Sequence, residues 1–318
     1  MPIADNEIRL GYRFLLGREP ESAEIYRLYR PFSFSEFRRT LVESPEGRKV
    51  LKGLMANGVP SERPRFERVV ACFIHIEKTG GTTLHRVLEG LFPGDRLTPS
   101  HTSDLTGMTI DEIARYDAIS GHFDYRSSQM IPASRVIRLS MFRDPVRRLV
   151  SFYRFHRAHP REARADNEFV ALAHALPPER FFEQPALFSS PRTNNAYLRT
   201  FGTSHDEDPA AHMDADALAA AVDLARERIR TLDAVGVSER MGESIGLICR
   251  ALERPPPPQV DWLHRTDELF RENPTFTRVE PVQITQPVLA SLEPLVRYDR
   301  LLYAAVEAEF DRRLVSAR

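Results

Sequence analysis

The residues best suited to do chemistry sit together in His75-Ile76-Glu77-Lys78-Thr79-Gly80-Gly81-Thr82-Thr83. Glycines placed directly between a buried strand and a helix let backbone N–H groups approach a phosphate at the helix N-terminus, where the helix dipole favours negative charge. A Walker A loop carries its lysine after the second glycine, followed by Ser or Thr for magnesium. Here Lys78 precedes the glycine pair. The segment therefore predicts a phosphate loop of another kind, set against the plainer reading of a glycine turn with a solvated lysine. Lysine is scarce in this chain, with only Lys49, Lys52 and Lys78 among 44 basic residues. A compact ammonium at 78 in an arginine-rich sequence points to a role that a planar guanidinium would not fill.

A second segment, Leu139 to Tyr153 (LSMFRDPVRRLVSFY), reads as strand, then Arg143, then Asp144 as N-cap with Pro145 at the first helical position. Arg143 thus stands at a strand's carboxyl end, where open α/β sheets place ligands. Arg147, Ser151 and Arg154 follow at helical spacing and share a face. Arg147 and Arg154 are read as a solvated stripe, Ser151 as facing the anion that Arg143 meets. Ser120-Gly121-His122-Phe123-Asp124-Tyr125 follows another strand end, with Asp124 either orienting His122 or sitting at the surface. The other histidines in play are His75, His85, His101, His156, His159 and His264, of which His101 is the strongest competitor. None has metal-ligand spacing.

These residues need a scaffold, and the pattern supplies one. Arg68 to Ile76 is a β-branched apolar run leading into the glycine turn and a helical pattern from Leu84 to Leu91. Asp117 to Ser120 and Val136 to Phe142 read as further buried strands, and Asp233 to Val237 as another. Helices are expected over Asp214 to Thr231, Met241 to Leu252 and Val288 to Leu314, the last divided near Tyr298-Asp299. The fold class is α/β: a P-loop NTPase-like parallel sheet flanked by helices, with a small N-terminal helical domain. That domain is read as short helices over Glu7 to Leu16, Glu21 to Tyr29, a third opened by a Ser33/Glu36 capping box, and Pro45 to Met55. Gly58 to Pro64 then breaks the periodicity, so residues 1–60 are expected as the helical domain and 65–318 as the catalytic one. Pro255 to Pro258 reads as a rigid connector.

With 318 residues, 42% apolar and 28% charged, the chain has material for one large core and a small second domain. A net charge of -1 gives no global field to collect nucleic acid or anionic membrane, so any anion site must be local. No run approaches the roughly 20 apolar residues of a membrane span, and Met1 to Asn6 lacks a signal-peptide pattern. The expected compartment is the cytoplasm. Cys72 and Cys249 fit reduced core residues better than a disulfide or zinc site.

Taken together, the two segments match in order and spacing, and resemble, the carbohydrate sulfotransferases related to heparan-sulfate 2-O and 6-O enzymes and their bacterial relatives. The resemblance implies that 3′-phosphoadenosine 5′-phosphosulfate (PAPS) is the co-substrate. Lys78, Thr79, Gly80, Gly81, Thr82 and Thr83 would form its 5′-phosphosulfate loop, and Arg143 and Ser151 would hold its 3′-phosphate. His122 would be the catalytic base on the hydroxyl of a carbohydrate or glycan acceptor. Lys78 would do part of what magnesium does in a kinase, so no obligatory metal is expected. More weakly, the resemblance runs through Arg192-Thr193-Asn194-Asn195, Leu232 to Glu239 and Tyr298 to Phe310, covering roughly residues 68–312. Arg192 and Asn195 are weak candidates for substrate or cofactor contact. Glu77 departs from the pattern, since the family usually has proline there, which predicts a less rigid turn into the loop. The late RKGxxGDWK loop of the cytosolic small-molecule branch is missing. Tyr12 to Pro20 is similar to small helical units appended to bacterial glycan-active enzymes. The rival readings are a P-loop nucleotide or small-molecule kinase and a non-catalytic anion- or glycan-binding protein.

Overall fold

The computed structural model of the chain describes residues 3–49, 68–99, 102, 105, 108–129, 131–161, 167–205, 208, 213–257 and 275–316. The expected linker, the boundary at residue 60, Lys52, His101 and His264 lie outside the described residues. Four strands form one parallel sheet: β1 (Val69–Ile74), β2 (Ala118–Gly121), β3 (Arg135–Phe142) and β4 (Ala234–Val237), in the order β2-β1-β3-β4. β3 and β4 run in register from Leu139 beside Ala234 to Phe142 beside Val237. β2 and β4 are buried throughout and β1 after its first residue, as strands covered on both faces must be. The α/β class with flanking helices is thus as the pattern predicts.

The chain divides into two compact units, residues 1–73 with 92–137, and 74–91 with 138–318. In the first unit, α1 (Asp5–Gly11) runs on as a π-helical turn over Tyr12–Leu16 and is stopped by Gly17 in the left-handed region at φ 70°. After α2 (Ala23–Tyr29), Ser33 opens α3 (Phe34–Glu43) with the expected capping box: its Oγ accepts from the Glu36 N–H, and the Glu36 carboxylate accepts from the Ser33 N–H. These helices bury Ile8, Tyr12, Tyr29, Phe37 and Leu41 against one another. Glu7 is buried as well and is ion-paired with buried Arg126 at 2.7 Å.

The second unit holds the helices that follow the loop and the strands. α4 (Gly81–Leu91) begins at Gly81 itself, three residues before its apolar pattern, because the glycine turn is already the first helical turn. Asp144 caps α5 (Pro145–Ala158) by accepting from the Arg147 N–H at 2.8 Å, with Pro145 in the first turn as expected. α6 (Ala196–Phe201), α7 (Ala215–Thr231) and α8 (Met241–Ala251) follow, α7 opened by Asp214, which accepts from the Ala217 N–H.

The last helix corrects the sequence reading. α9 spans Gln286–Ser316 without division, although Pro294 lies inside it. The Asn195 side chain bridges the weak point, donating to the Pro294 carbonyl at 3.0 Å and accepting from the Tyr298 N–H at 2.9 Å. An amide side chain thereby stands in for a turn of backbone hydrogen bonding, and the helix continues.

Candidate functional site

The loop after β1 is shaped by what its glycines leave room for. Gly80 has φ 87°, a conformation that favours glycine, and a Cβ there would lie 2.4 Å from the Met241 methyl. A Cβ on Gly81 would fall 1.8 Å from the His75 ring, which lies against this glycine. Thr79 is buried and its hydroxyl donates to the Ile76 carbonyl at 2.7 Å, closing the turn. Thr83 is buried and Thr82 exposed on the first turn of α4. The result is a turn of bare backbone leading into a helix N-terminus, the arrangement an anionic oxygen can approach.

Lys78 is half-buried and in the left-handed region at φ 65°, rare for a residue with a side chain. Its ammonium lies 3.8 Å from the centroid of the Phe155 ring, on α5. Burial lowers its pKa to about 8, with Glu77 opposing the shift and Arg143 and Arg192 adding to it. Phe155 is itself backed by His159 and Phe276, at centroid distances of 4.5 and 6.1 Å.

Arg143 follows β3, and its guanidinium donates to the Lys78 carbonyl at 3.3 Å, so the strand-end arginine reaches the backbone of the loop. Withdrawal from water lowers its pKa. Ser151 is buried on α5, one turn before Phe155. Arg147 is exposed, as read, but Arg154 is half-buried and donates to the Val279 carbonyl at 3.0 Å, which corrects its reading as part of a solvated stripe. Arg192 is ion-paired with Glu77, Nε to Oε1 at 2.6 Å, and lies over the Phe152 and Phe169 rings. Where proline is usual, this chain thus ties the turn with a charge pair. The Asn195 amide is taken up by α9.

His122 belongs to the first unit, just beyond β2. It is half-buried, and its N–H donates to the Thr102 carbonyl at 3.0 Å. A Cβ on Gly121 would sit 2.1 Å from that same carbonyl, so the approach of the two segments requires glycine there. Asp124 is buried rather than at the surface, and its Oδ1 accepts from the Ser127 N–H and hydroxyl at 2.8 and 2.7 Å, capping the next turn. Among the competing histidines, buried His156 bonds the Phe152 carbonyl through Nδ1 at 2.8 Å, and burial drives its pKa down to about 3. His159 is bonded likewise to the Phe155 carbonyl, and His85 stands 3.6 Å from Glu89.

Several supporting contacts escaped the sequence reading, although Glu239 and Asp299 fall in segments that the resemblance covers. Tyr197 brackets the Arg143 main chain, Glu239 accepts from the Asp144 N–H at 3.1 Å, and fully buried Arg148 faces fully buried Asp299 at 3.7 Å. Each lies more than 50 residues from its partner, so no local pattern exposes them.

A parallel sheet whose first loop turns through glycines into a helix, with the Arg143 guanidinium on the Lys78 backbone, defines a P-loop-like α/β protein. A family model described as the sulfotransferase family matches residues 66–304, and the chain belongs to that family. It carries a domain for sulfuryl transfer. No curated protein matches it.

Proposed function

We propose that the chain transfers a sulfuryl group from PAPS to a hydroxyl of a carbohydrate. The observation that carries this reading is the contact of Arg143 with the backbone of Lys78, because it brings the guanidinium at the end of β3 up to the loop that carries the ammonium and the glycine turn. The residues suit the co-substrate: a loop with no room for side chains for the 5′-phosphosulfate, and a fork plus a hydroxyl, Arg143 and Ser151, for the 3′-phosphate. In this proposal N–H groups from Gly80 to Thr83 hold the 5′-phosphate. Lys78 neutralises charge growing on the oxygen that bridges phosphorus and sulfur. His122 takes the acceptor's proton as the acceptor oxygen bonds to sulfur and the sulfur–oxygen bond to the phosphate breaks, releasing adenosine 3′,5′-bisphosphate. Positioning and charge supply most of the acceleration.

Because Lys78 supplies the positive charge, the reaction proceeds without an obligatory metal, in the cytoplasm. The test is purified full-length protein with labelled PAPS against a panel of polysaccharides, with and without chelator, and ATP with magnesium in parallel. Label transfer that survives chelation supports the reading. Phosphoryl transfer from ATP would make the protein a kinase, and nucleotide or glycan binding without turnover would make it a binding protein. Loss of transfer on chelation would remove the metal-free mechanism.

A further inference from the structure

The residues that touch the Arg143 backbone point one layer behind the anion site. The Arg143 N–H donates to the Tyr197 hydroxyl at 3.0 Å, and that hydroxyl donates to the Arg143 carbonyl. One phenol therefore holds both polar groups of the residue whose guanidinium reaches Lys78. Tyr197 is fully buried, and burial pushes its pKa up, so the proton it must donate stays on. Its ring meets Phe142 edge-on at 5.2 Å and lies 5.6 Å from the Arg148 guanidinium. Its own backbone is fixed from α9: Asp299 Oδ1 accepts from the N–H groups of Tyr197 and Leu198 at 2.9 and 3.2 Å, while Asn195, the preceding cap, is anchored to Pro294 and Tyr298. A strand end is otherwise free to swing its last side chain by tens of degrees. Here the peptide on either side of Arg143 is pinned.

We infer that Tyr197 is a positioning residue for 3′-phosphate recognition: its hydroxyl fixes the Arg143 main chain, and so decides whether the guanidinium meets that phosphate. The inference rests on the assignment of Arg143 to the 3′-phosphate. A displacement of about 1 Å is enough to break a paired hydrogen bond to an anion, so losing the phenol should weaken the contact without removing the charge.

The experiment compares two probes, adenosine 3′,5′-bisphosphate and adenosine 5′-monophosphate, by calorimetry on the full chain. The ratio of their affinities reads the 3′-phosphate contact alone. Arg143→Ala should cut that ratio about tenfold or more, and Tyr197→Phe about three- to tenfold, the tyrosine variant with monophosphate affinity unchanged. Tyr197→Phe in the Arg143→Ala background should change the ratio no further. Equal losses for both nucleotides, or no loss, in Tyr197→Phe overturn the inference, since a merely structural tyrosine does not discriminate between them. An unchanged ratio in Arg143→Ala is a different failure: it overturns the assignment of Arg143 and the inference with it. If Tyr197→Phe does not fold, Phe142→Leu carries the same test, because it withdraws the ring that fixes where the hydroxyl lies. An unchanged ratio there also overturns the inference.

Discussion

Lys78 holds its backbone and its charge in unfavourable places at once. A side-chain residue at φ 65° costs on the order of 1–3 kcal/mol, and such strain persists where the surroundings over-determine it. The Phe155 face offsets part of the desolvation of the ammonium but leaves its pKa lowered to about 8. In the free protein the charge is therefore present below about 8 and lost as pH rises through it. A bound anion beside it favours the ammonium and pushes the titration back up. The expected outcome is that kcat/KM for PAPS, which reports the free protein, falls about tenfold per pH unit above that point, while kcat holds level for about a unit further. A kcat/KM profile flat to about pH 9.5 would dismiss this role for the Lys78 charge. Lys78→Arg is a sharper probe, because arginine stays charged throughout but its planar fork does not fit where a compact ammonium lies. It should lose about 10²-fold or more in kcat and lose the basic limb as well.

Elements differ in how openly the sequence declares them. The loop and the start of α5 are legible because each rests on local chemistry: glycines where a Cβ has no room, and an Asp-Pro pair that caps a helix. Gly81→Ala should therefore abolish adenosine bisphosphate binding in calorimetry, since the His75 ring and the loop cannot both keep their places, and unchanged affinity would show that the loop yields. The course of α9 was not legible. The polar Tyr298-Asp299 pair looks like a break, Pro294 lies inside the same helix, and the group that bridges the two, Asn195, lies about a hundred residues earlier in the sequence. Asn195 itself sits at φ 45°, which asparagine tolerates better than most residues. Asn195→Ala leaves buried donors and acceptors of α9 unpaired and should cost on the order of 2–4 kcal/mol, read as a fall in the denaturant midpoint. A loss under about 0.5 kcal/mol would show that α9 closes over Pro294 without help.

Over the whole chain, 44 basic and 45 acidic residues cancel, so the proposed co-substrate, an anion, would be met by local charge rather than by a long-range field. The alternation of strand and helix made the sheet readable, whereas the boundary at residue 60 rests on composition, which marks a linker without showing what its flanks touch. Residues 1–60 as a separable helical unit is a proposal that carries one physical cost. Glu7 in α1 is buried with Arg126, and burial raises its pKa while the arginine opposes the rise. Removing the carboxylate leaves a guanidinium in a site built for a pair, a loss of about 3–5 kcal/mol when only one partner goes. Replacing both by apolar groups is far cheaper. The truncated chain 65–318 should therefore be markedly less stable than the full chain, and the same truncation carrying Arg126→Met should recover most of the loss in urea unfolding. Recovery together with retained adenosine bisphosphate affinity would establish the helices as separable. If Arg126→Met restores nothing, more than one ion pair ties the N-terminal helices to residues 92–137, and the boundary at 60 does not divide domains.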